Sequence, residues 1–276
     1  MTELLKAGFY RMRKDKPFWL LSLLMFLIGA MLPLAHYFDS LHSGIQWSLD
    51  LSFFIFAFLA PIALSVFTSL YIGSEYGNGT LRNKIIAGHR RSSIYLSNLL
   101  ISISAGIFMC LAYMLPHLVL GLLLNGRLSS TPKTIAIYIG LSFALVTAVA
   151  SILVLISMLC LNKAHTTVGC ILTVFILLFV GIYLTSALNE PEYLPAYTYI
   201  ENGVTVEEPA TKNPNYVGGK KREVYGFLQD FTSGGQMLQI ADMDVEKPSS
   251  LSVYNGITVL VTTIGGIIFF RRKDLK

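Results

Sequence analysis

The most polar short segment in the first half of the chain is SEYGNGTLRNKIIAGHRR, at residues 74–91. It contains one acid, Glu75, and four Lys or Arg side chains, and long apolar stretches lie on both sides of it. These residue types form ion pairs and bind protein partners, but their spacing matches no catalytic or metal-binding motif. The sequence therefore favours a contact segment here over a catalytic site.

A short helix is predicted inside this segment, over Thr80–Ala87. Leu81, Ile85 and Ile86 recur at helical spacing and are expected to form one exposed apolar face. The signals for its ends are Asn78 or Thr80 as a cap at the start and Gly88 as a left-handed stop. A helix of about two turns needs packing to be stable, so this one is suited to insert into a groove on a soluble partner. The alternative is an ordinary basic loop with no partner.

Several functional classes are disfavoured because their motifs are missing. The sequence has no G-x-x-x-x-G-K-[ST] phosphate-binding loop, so any ATP that drives the protein must bind to another chain. It has no H-E-x-x-H metalloprotease motif either. The titratable candidate in the third apolar stretch, residues 94–124, is His117, and it is expected near the outer headgroups. Ion-coupled carriers place ionisable residues at membrane depth, so a secondary carrier is disfavoured.

Apolar residues dominate the rest of the chain. The sequence is 54% hydrophobic and 13% charged, whereas soluble domains carry about 25% charged residues. A membrane span needs roughly 20 apolar residues, and six stretches without Asp, Glu, Lys or Arg satisfy this. The predicted spans are residues 18–38, 51–73, 94–124, 134–161, 167–188 and 251–270. We therefore predict an all-α membrane protein, with residues 1–276 forming one transmembrane domain.

The distribution of Lys and Arg predicts the orientation of the spans. With the N-terminus inside, the inner segments carry 14 Lys or Arg residues and the two short outer loops carry two. Positive residues concentrate in short cytoplasmic segments. Both termini and the segment at residues 74–91 are therefore expected to be cytoplasmic, in a multi-pass protein of the cell membrane. The net charge of +5 reflects this asymmetry, and no nucleic-acid partner is expected.

The N-terminal segment, residues 1–16, is predicted to be an interfacial helix. Its apolar arc contains Leu4, Leu5, Gly8, Phe9 and Met12. Its opposite side contains Lys6, Tyr10, Arg11, Arg13 and Lys14. Such a helix lies on the membrane with its basic residues facing anionic lipid headgroups. The alternative is a basic flank of the first span that happens to be helical.

The loop region at residues 189–250 is expected to be extracellular. It is acidic, with ten acids and five bases. Its first half is rich in Pro, Gly, Asn and Tyr and suggests turns and a short hairpin. Its second half predicts a short amphipathic helix with Val224, Phe227, Leu228 and Phe231 on one face, interrupted at Gly234-Gly235. This helix is expected to lie on the outer membrane surface or to cap the bundle.

The segment at residues 74–91 resembles the E-x-x-x-G-T-L-x-x-x…G-x-x-R signature of permease subunits of type-2 ABC exporters. The matching residues are Glu75, Gly79, Thr80, Leu81, Arg82 and Gly88. The layout is also similar: an N-terminal interfacial helix, six spans, both ends inside and no nucleotide site. In that family the helix between spans 2 and 3 is a coupling helix that docks on a separate ATPase. The resemblance thus implies ATPase contact by the matching residues together with Lys84 and Ile85.

The resemblance also implies partners and a cargo. This chain supplies one six-span half, so it implies two ATPase subunits, which bind ATP and Mg, and a second permease, identical or closely related. The chain itself is expected to bind no cofactor and to perform no covalent chemistry. The long outer loop is similar to that of family members acting on bacitracin, bacteriocins, lantibiotics or other amphipathic peptides, and uncharged spans suit an amphipathic or lipid-like cargo. The candidate pathway residues are Phe54, Phe58, Ser65 and Thr68 in span 2 and Thr173, Ile176 and Val180 in span 5.

Two alternative functions remain at this point. The chain is an exporter permease, or it is a non-transporting membrane sensor or immunity protein that binds a ligand through its acidic outer loop. Association with a P-loop ATPase distinguishes the two.

Overall fold

The computed structural model describes residues 1–44, 48–124, 128–160, 162–201 and 204–273. Its first half contains α1 (Thr2–Lys14), α2 (Lys16–Ser43), α3 (Leu49–Phe53), α4 (Phe56–Gly77), α5 (Thr80–Ile86) and α6 (Arg91–Leu124). Two long helices follow, α7 (Pro132–Leu159) and α8 (Lys163–Asn189). The remainder contains β1 (Tyr193–Leu194), β2 (Tyr197–Glu201), β3 (Val204–Glu208), β4 (Thr211–Lys212), α9 (Gly219–Phe231), α10 (Ser233–Ala241) and α11 (Pro248–Arg272).

Six helices among the described residues are long and apolar enough to cross a membrane: α2, α4, α6, α7, α8 and α11. They coincide with the six predicted spans, which confirms a mostly helical, multi-pass architecture. Three of them, α2, α8 and α11, extend a few residues beyond the predicted apolar stretch at both ends. Residue 161, the last of the predicted fourth span, lies outside the described residues.

Local capping determines where several of these helices begin. The carboxylate of Asp15 accepts a hydrogen bond from the backbone N–H of Phe18 at 3.1 Å, and a proline follows in the first turn of α2. Thr131 caps α7 in the same way, again with a proline after it. Asn162 caps α8 by accepting from the N–H of Ala164 at 2.8 Å. Each cap satisfies a backbone donor that the helix itself leaves unpaired.

The predicted second span differs from the structure at its start. The prediction began at residue 51, but the residues around it form the short helix α3, and the spanning helix α4 begins only at Phe56. Pro61 lies in the second turn of α4. Because proline has no N–H, it cannot donate to the carbonyl of Ala57, which weakens this end of the helix.

A buried acid also departs from the prediction of uncharged spans. Glu75 lies within α4, two residues before its end, and only 1% of the residue is exposed. The apolar stretch ends earlier in the sequence than the helix does. The last turns of α4 therefore carry a charged side chain into the packed part of the bundle.

The core of the bundle is built around α4. Most of α4 is buried, whereas less than a third of the apolar part of α2, α8 and α11 is buried. α4 contacts α2, α6, α7, α8 and α10, and small residues at close approaches allow other helix pairs to pack tightly. A Cβ atom on Gly29 of α2 would lie 2.3 Å from the backbone oxygen of Tyr113 in α6. A Cβ atom on Gly266 of α11 would similarly meet the ring of Tyr95.

The region between α8 and α11 combines a hairpin with two helices. β2 and β3 pair in an antiparallel hairpin, as the turn-rich sequence suggests, and β1 pairs with β4 beside it. α9 carries the predicted apolar face and buries none of its residues. α10 contains Gly234 and Gly235 and is almost entirely buried against α8, α7 and α4. The glycine pair was predicted to interrupt a helix, but it lies inside one.

The two ends of the bundle differ in charge. At one end of the bundle, the C-terminal ends of α4, α7 and α11 meet the N-terminal ends of α6 and α8. The helices α1 and α5 lie at this same end, which we call the basic end. Tyr76 near the end of α4 donates to the carbonyl of Met158 near the end of α7 at 2.6 Å. Arg91 at the start of α6 donates to the carbonyl of Phe270 near the end of α11 at 3.0 Å.

The opposite end contains a buried polar group. His117 is 1% exposed, its Nε2 lies 3.2 Å from Oγ of Ser52, and its ring stacks on Tyr113. His117 is therefore enclosed by protein side chains, while its expected position near the outer headgroups stays a prediction. Nearby, Asp50 accepts hydrogen bonds from the backbone N–H groups of Ser129 and Ser130 at 3.2 and 2.7 Å. These contacts tie α3 to α6 and to the loop before α7.

Candidate functional site

Glu75 joins four helices at the basic end. Its Oε1 accepts hydrogen bonds from Nη1 of Arg11 at 2.7 Å and from Nζ of Lys84. Its Oε2 accepts from Nδ2 of Asn98 at 3.1 Å. One carboxylate of α4 thereby contacts α1, α5 and α6. Two cations and one amide compensate the loss of hydration that burial imposes on this charge.

Arg11 fixes α1 against α4 through a second set of contacts. Its Nη2 donates to the carbonyl of Tyr71 at 3.0 Å, and its guanidinium carbon lies 3.6 Å from the centre of the Tyr71 ring. The hydroxyl of Tyr71 in turn donates to the carbonyl of Gly8 at 2.9 Å. We call Arg11, Tyr71, Glu75, Lys84 and Asn98 the Glu75 cluster.

The apolar side of α1 is as predicted for three of its five residues. Leu4, Gly8 and Met12 are buried, whereas Phe9 is exposed. Arg11 was assigned to the side that faces the headgroups, and this assignment is wrong, because its side chain turns inward to Glu75. Nothing in the sequence distinguishes Arg11 from the other basic residues around it.

Two glycines set the ends of α5. Gly79 precedes the helix with a φ of +67°, and Gly88 follows it with a φ of +86°. Both angles lie in the left-handed region that glycine adopts at little cost. The predicted side-chain cap is wrong: Gly79 occupies the cap position, and Thr80 Oγ1 donates backwards to the carbonyl of Glu75 at 3.2 Å. The prediction that Gly88 ends the segment in the left-handed conformation is confirmed.

The apolar residues of α5 do not form one exposed face. Leu81 is 2% exposed and belongs to the core, and Ile85 is partly buried beside it. Ile86 is 74% exposed. Leu81 and Ile85 are four residues apart and share the inner face, whereas Ile86 lies one residue further round the helix. The prediction of a shared exposed face is therefore wrong at Leu81.

An outward face of α5 consists of other residues. Gly79, Arg82, Asn83 and Ile86 recur at spacings of three, one and three residues and are all exposed. Residues three and four apart lie on one side of a helix. This surface has one large apolar side chain, one cation and one amide, and we call it the outer face of α5.

The eight residues predicted to contact an ATPase thus occupy different environments. Glu75, Leu81 and Lys84 hold α5 against the bundle, and Thr80 and Ile85 are partly buried. Gly79, Arg82 and Gly88 are exposed.

A second group of contacts at the basic end fixes the last helix. Arg91 Nη1 donates to the carbonyls of Phe270 and Arg271, both at 3.0 Å, and to that of Lys273. Lys273 Nζ donates to the carbonyl of Leu159 at the end of α7. Burial lowers the pKa of Lys273. Cations at helix C-termini satisfy carbonyls that have no partner within the helix, so Arg91 acts as a cap for α11.

The predicted pathway residues do not line one cavity of this chain. Phe54, Ser65 and Thr68 are buried among neighbouring helices of the same chain, and Phe58 is partly buried. Their burial makes them part of its core. On α8, Ile176 and Val180 are exposed on the outer surface of the bundle. Thr173 is partly buried and donates to the carbonyl of Gly169 at 2.7 Å.

Sequence reasoning missed Arg11, Tyr71 and Asn98 as partners of Glu75. Asn98 gives a signal, because it is a lone amide in an apolar stretch and is fully buried in α6. Buried polar groups need hydrogen-bond partners, so an amide at this position predicts a polar partner on a neighbouring helix. Within the described parts of the chain, no group of three or more His, Cys, Asp or Glu side chains is placed to hold a metal ion.

Comparison with known proteins identifies one family. The family described as "ABC-2 family transporter protein" matches residues 4–181. The matched region covers more than half of the 276 residues and runs from α1 into α8, so it includes the whole Glu75 cluster. No curated protein matches the chain.

Proposed function

The chain belongs to the ABC-2 family of transporter proteins, as a multi-pass membrane permease subunit, and from this premise we propose that it serves an ATP-driven exporter. Membership of this family implies association with an ABC ATPase. ATP and Mg²⁺ would bind on that separate chain, because this sequence has no phosphate-binding loop. The basic end of the bundle would face the cytoplasm.

The observation that carries the proposal is the division of α5 into two faces. Its inner face is fixed by buried Leu81 and by the contact of Lys84 with Glu75. Its outer face exposes Arg82, Asn83 and Ile86. A helix that is held firmly on one side and offers an apolar anchor on the other suits docking into a groove of a soluble partner.

The Glu75 cluster gives a physical route for movement from α5 into the membrane. A displacement of α5 acts on α4 through Thr80 and Lys84, which both contact Glu75. From Glu75 it reaches α6 through Asn98 and α1 through Arg11. Packed side chains and hydrogen-bond networks carry energetic coupling between distant sites. ATP-driven closure of the ATPase subunits would thereby shift α1, α4 and α6 as a unit.

We further propose two ATPases, a second copy of this permease and an amphipathic peptide or lipid-like cargo. Large apolar surfaces on α2, α8 and α11 leave room for a second permease beside lipid. The exposed residues Ile176 and Val180 of α8 are the pathway candidates that such an interface would cover. A pathway without fixed charges would accept apolar parts of a cargo at little cost.

The test uses substitutions on the outer face of α5. The permease is produced together with each candidate ABC ATPase of its source organism, and co-purification through a tag on the permease is measured. Ile86→Asp should reduce the recovered ATPase by about tenfold, since a charge replaces the apolar anchor. Ile86→Leu keeps the apolar surface and should retain the ATPase. Normal ATPase recovery with a well-inserted Ile86→Asp permease would refute docking through α5.

A second candidate function has one supporting observation. A polar cavity of about 560 Å³ opens between the end of α8, α9 and α11. The charged side chains that line it are Arg222, Glu223, Asp230, Asp244, Glu246 and Lys247. Such a cavity suits a sensor or immunity protein that captures a ligand through this region. Two results together would favour this function over export. The chain would be stable and functional without an ATPase, and it would bind a ligand with an affinity that Asp244→Asn weakens.

A further inference from the structure

A groove between α2 and α6 combines an apolar length with a cationic mouth. Its volume is about 620 Å³, and its lining includes Trp19, Leu23, Phe26, Phe108, Leu115 and Val119. All six side chains are at least 41% exposed. Since both helices are long and apolar enough to span the membrane, the groove opens towards lipid. An apolar surface facing acyl chains is compatible with any lipid, so the charge at the mouth of the groove determines which lipid binds there.

The groove has a length of about one leaflet and starts next to the corner between α1 and α2. On α2 it runs from Trp19 to Ala30, a rise of about 16 Å at 1.5 Å per residue. This is about half of the roughly 30 Å hydrocarbon thickness of a bilayer. Its depth therefore matches the acyl chains of a single leaflet.

Lys16 lies at the mouth of the groove. Residues 16, 19, 23, 26 and 30 follow one another at spacings of three and four, so they form a single stripe along α2. Lys16 begins this stripe and is exposed. The side chain one turn further along is Trp19, whose ring packs edge-on against Phe108 at 5.9 Å. The stripe therefore passes from a cation through an interfacial tryptophan to an apolar wall.

Arg13 adds a second cation beside Trp19. The indole Nε1 of Trp19 donates to the carbonyl of Arg13 at 2.7 Å, which places the two residues together at the corner between α1 and α2. The side chain of Arg13 is exposed. The neighbouring acid, Asp15, is engaged as the cap of α2, and Lys14 lies over the ring of Tyr10 at 4.4 Å. The corner has a net positive charge, with Arg13 and Lys16 exposed.

We propose that this groove binds an anionic phospholipid whose headgroup lies at the corner between α1 and α2. An acyl chain would lie along Leu23, Phe26 and Leu115, and the phosphate would contact Arg13 and Lys16. Basic groups at the mouth of a crevice between transmembrane helices recognise anionic lipid headgroups. A protein occupant would have to supply an acid at the mouth, whereas an anionic phospholipid carries both required chemistries in one molecule. The bound lipid would fix the α1–α2 corner against α6.

The test is native mass spectrometry of the full chain in mild detergent. The protein is titrated with phosphatidylglycerol and with phosphatidylcholine of the same acyl composition. The first phosphatidylglycerol should bind at least about fivefold more tightly than phosphatidylcholine. Arg13→Gln and Lys16→Gln should each weaken phosphatidylglycerol binding by about fivefold and leave phosphatidylcholine unchanged, since each cation contributes on the order of one such factor.

A second variant addresses the apolar part of the groove. Ala112 lines it and is partly exposed, so Ala112→Phe should fill it and weaken the binding of both lipids. Leu118→Phe, in the neighbouring groove between α6 and α7, is the matched control and should change neither. Lys6→Gln, on the far part of α1, is the charge control.

Three outcomes contradict the proposal. The first is equal affinity of the unmodified protein for the two lipids. The second is phosphatidylglycerol binding that is unchanged in Arg13→Gln and Lys16→Gln. The third is an Ala112→Phe protein that keeps its lipid but loses a second copy of the chain, which would make the groove a protein interface.

Discussion

At the scale of single residues, the chemistry of this protein centres on one buried carboxylate. Glu75 is 1% exposed and accepts hydrogen bonds from two cations and an amide. A buried charge is tolerated only when its partners replace the lost water. The partners come from three different helices, so each of those helices depends on the same side chain for its position.

Neutralising Glu75 should weaken the basic end of the bundle. Glu75→Gln keeps the shape but leaves Arg11 and Lys84 without an anion, and we expect a loss of about 1–3 kcal/mol in stability. Thermal unfolding of the detergent-solubilised protein measures this loss. It should also lower transport-coupled ATP hydrolysis by the complex.

An exposed ion pair on α1 provides the matched control for that experiment. Lys6 lies 3.4 Å from Glu3, and both side chains are at least 70% exposed. Lys6→Gln should change stability by less than about 0.5 kcal/mol. Equal effects of Glu75→Gln and Lys6→Gln would mean that the buried cluster contributes no more than a surface pair.

At the scale of elements, close backbone contact determines how α10 packs. A Cβ atom on Gly234 would lie 1.7 Å from the carbonyl oxygen of Leu177 in α8, and one on Gly181 would lie 2.3 Å from that of Gly234. Two helices can approach this closely only where neither has a side chain. Gln236 then accepts a hydrogen bond from Asn255 of α11 at 2.7 Å, so α10 links α8 to α11.

Adding a methyl group at this contact should separate the two helices. Gly234→Ala is expected to destabilise the protein by about 1–3 kcal/mol, because backbone atoms must move to accept the Cβ atom. Gly226→Ala is the control in the adjacent α9, where a Cβ atom meets nothing within 4 Å. Alanine favours a helix over glycine, so Gly226→Ala should be neutral or slightly stabilising. The melting temperatures of the two variants compare them directly, and equal values would contradict the close-packing explanation.

At the scale of the whole molecule, burial is unevenly distributed among the spans. α4 is enclosed by its neighbours, whereas α2, α8 and α11 bury less than a third of their apolar windows within the chain. In a membrane such surfaces face lipid or another protein. A single chain of this kind provides a rigid core with three outer helices available for further contacts.

The proposed homodimer leads to a mass prediction. The permease alone, purified in detergent, should have a protein mass twice the 30.5 kDa of a single chain, and the complex with its ATPase should contain two copies of each subunit. Light scattering with detergent correction, or native mass spectrometry, gives these masses. A monomeric permease that binds one ATPase and remains active in transport would rule out this stoichiometry.

Much of the fold could be predicted from the sequence because apolar length is a local property. Six apolar stretches predicted the six long helices, and Gly88 predicted the end of α5. The acidic loop region was predicted to contain a hairpin and an amphipathic helix, and both are present. The order of elements along the chain is therefore contained in residue types and their period.

The residues that form the site could not all be predicted, because they make contacts between distant positions of the chain. Arg11 and Glu75 are 64 positions apart, and Asn98 is a further 23 positions along the chain. Helical periodicity placed Leu81, Ile85 and Ile86 on a helix but contained no information about which side of it would meet α4. The sequence likewise predicted a helix break at Gly234 and Gly235. In the structure both lie within a helix, and α8 packs against their backbone.

The sequence by itself thus determined that the chain is a six-span membrane protein with a short helix between its second and third spans. Span length and helical period follow from the chemistry of neighbouring residues. Only the tertiary structure decided that Leu81 is internal, that Ile86 is exposed and that Glu75 binds Arg11, Lys84 and Asn98. Those features depend on how helices pack against one another, and packing brings together residues that no local pattern relates.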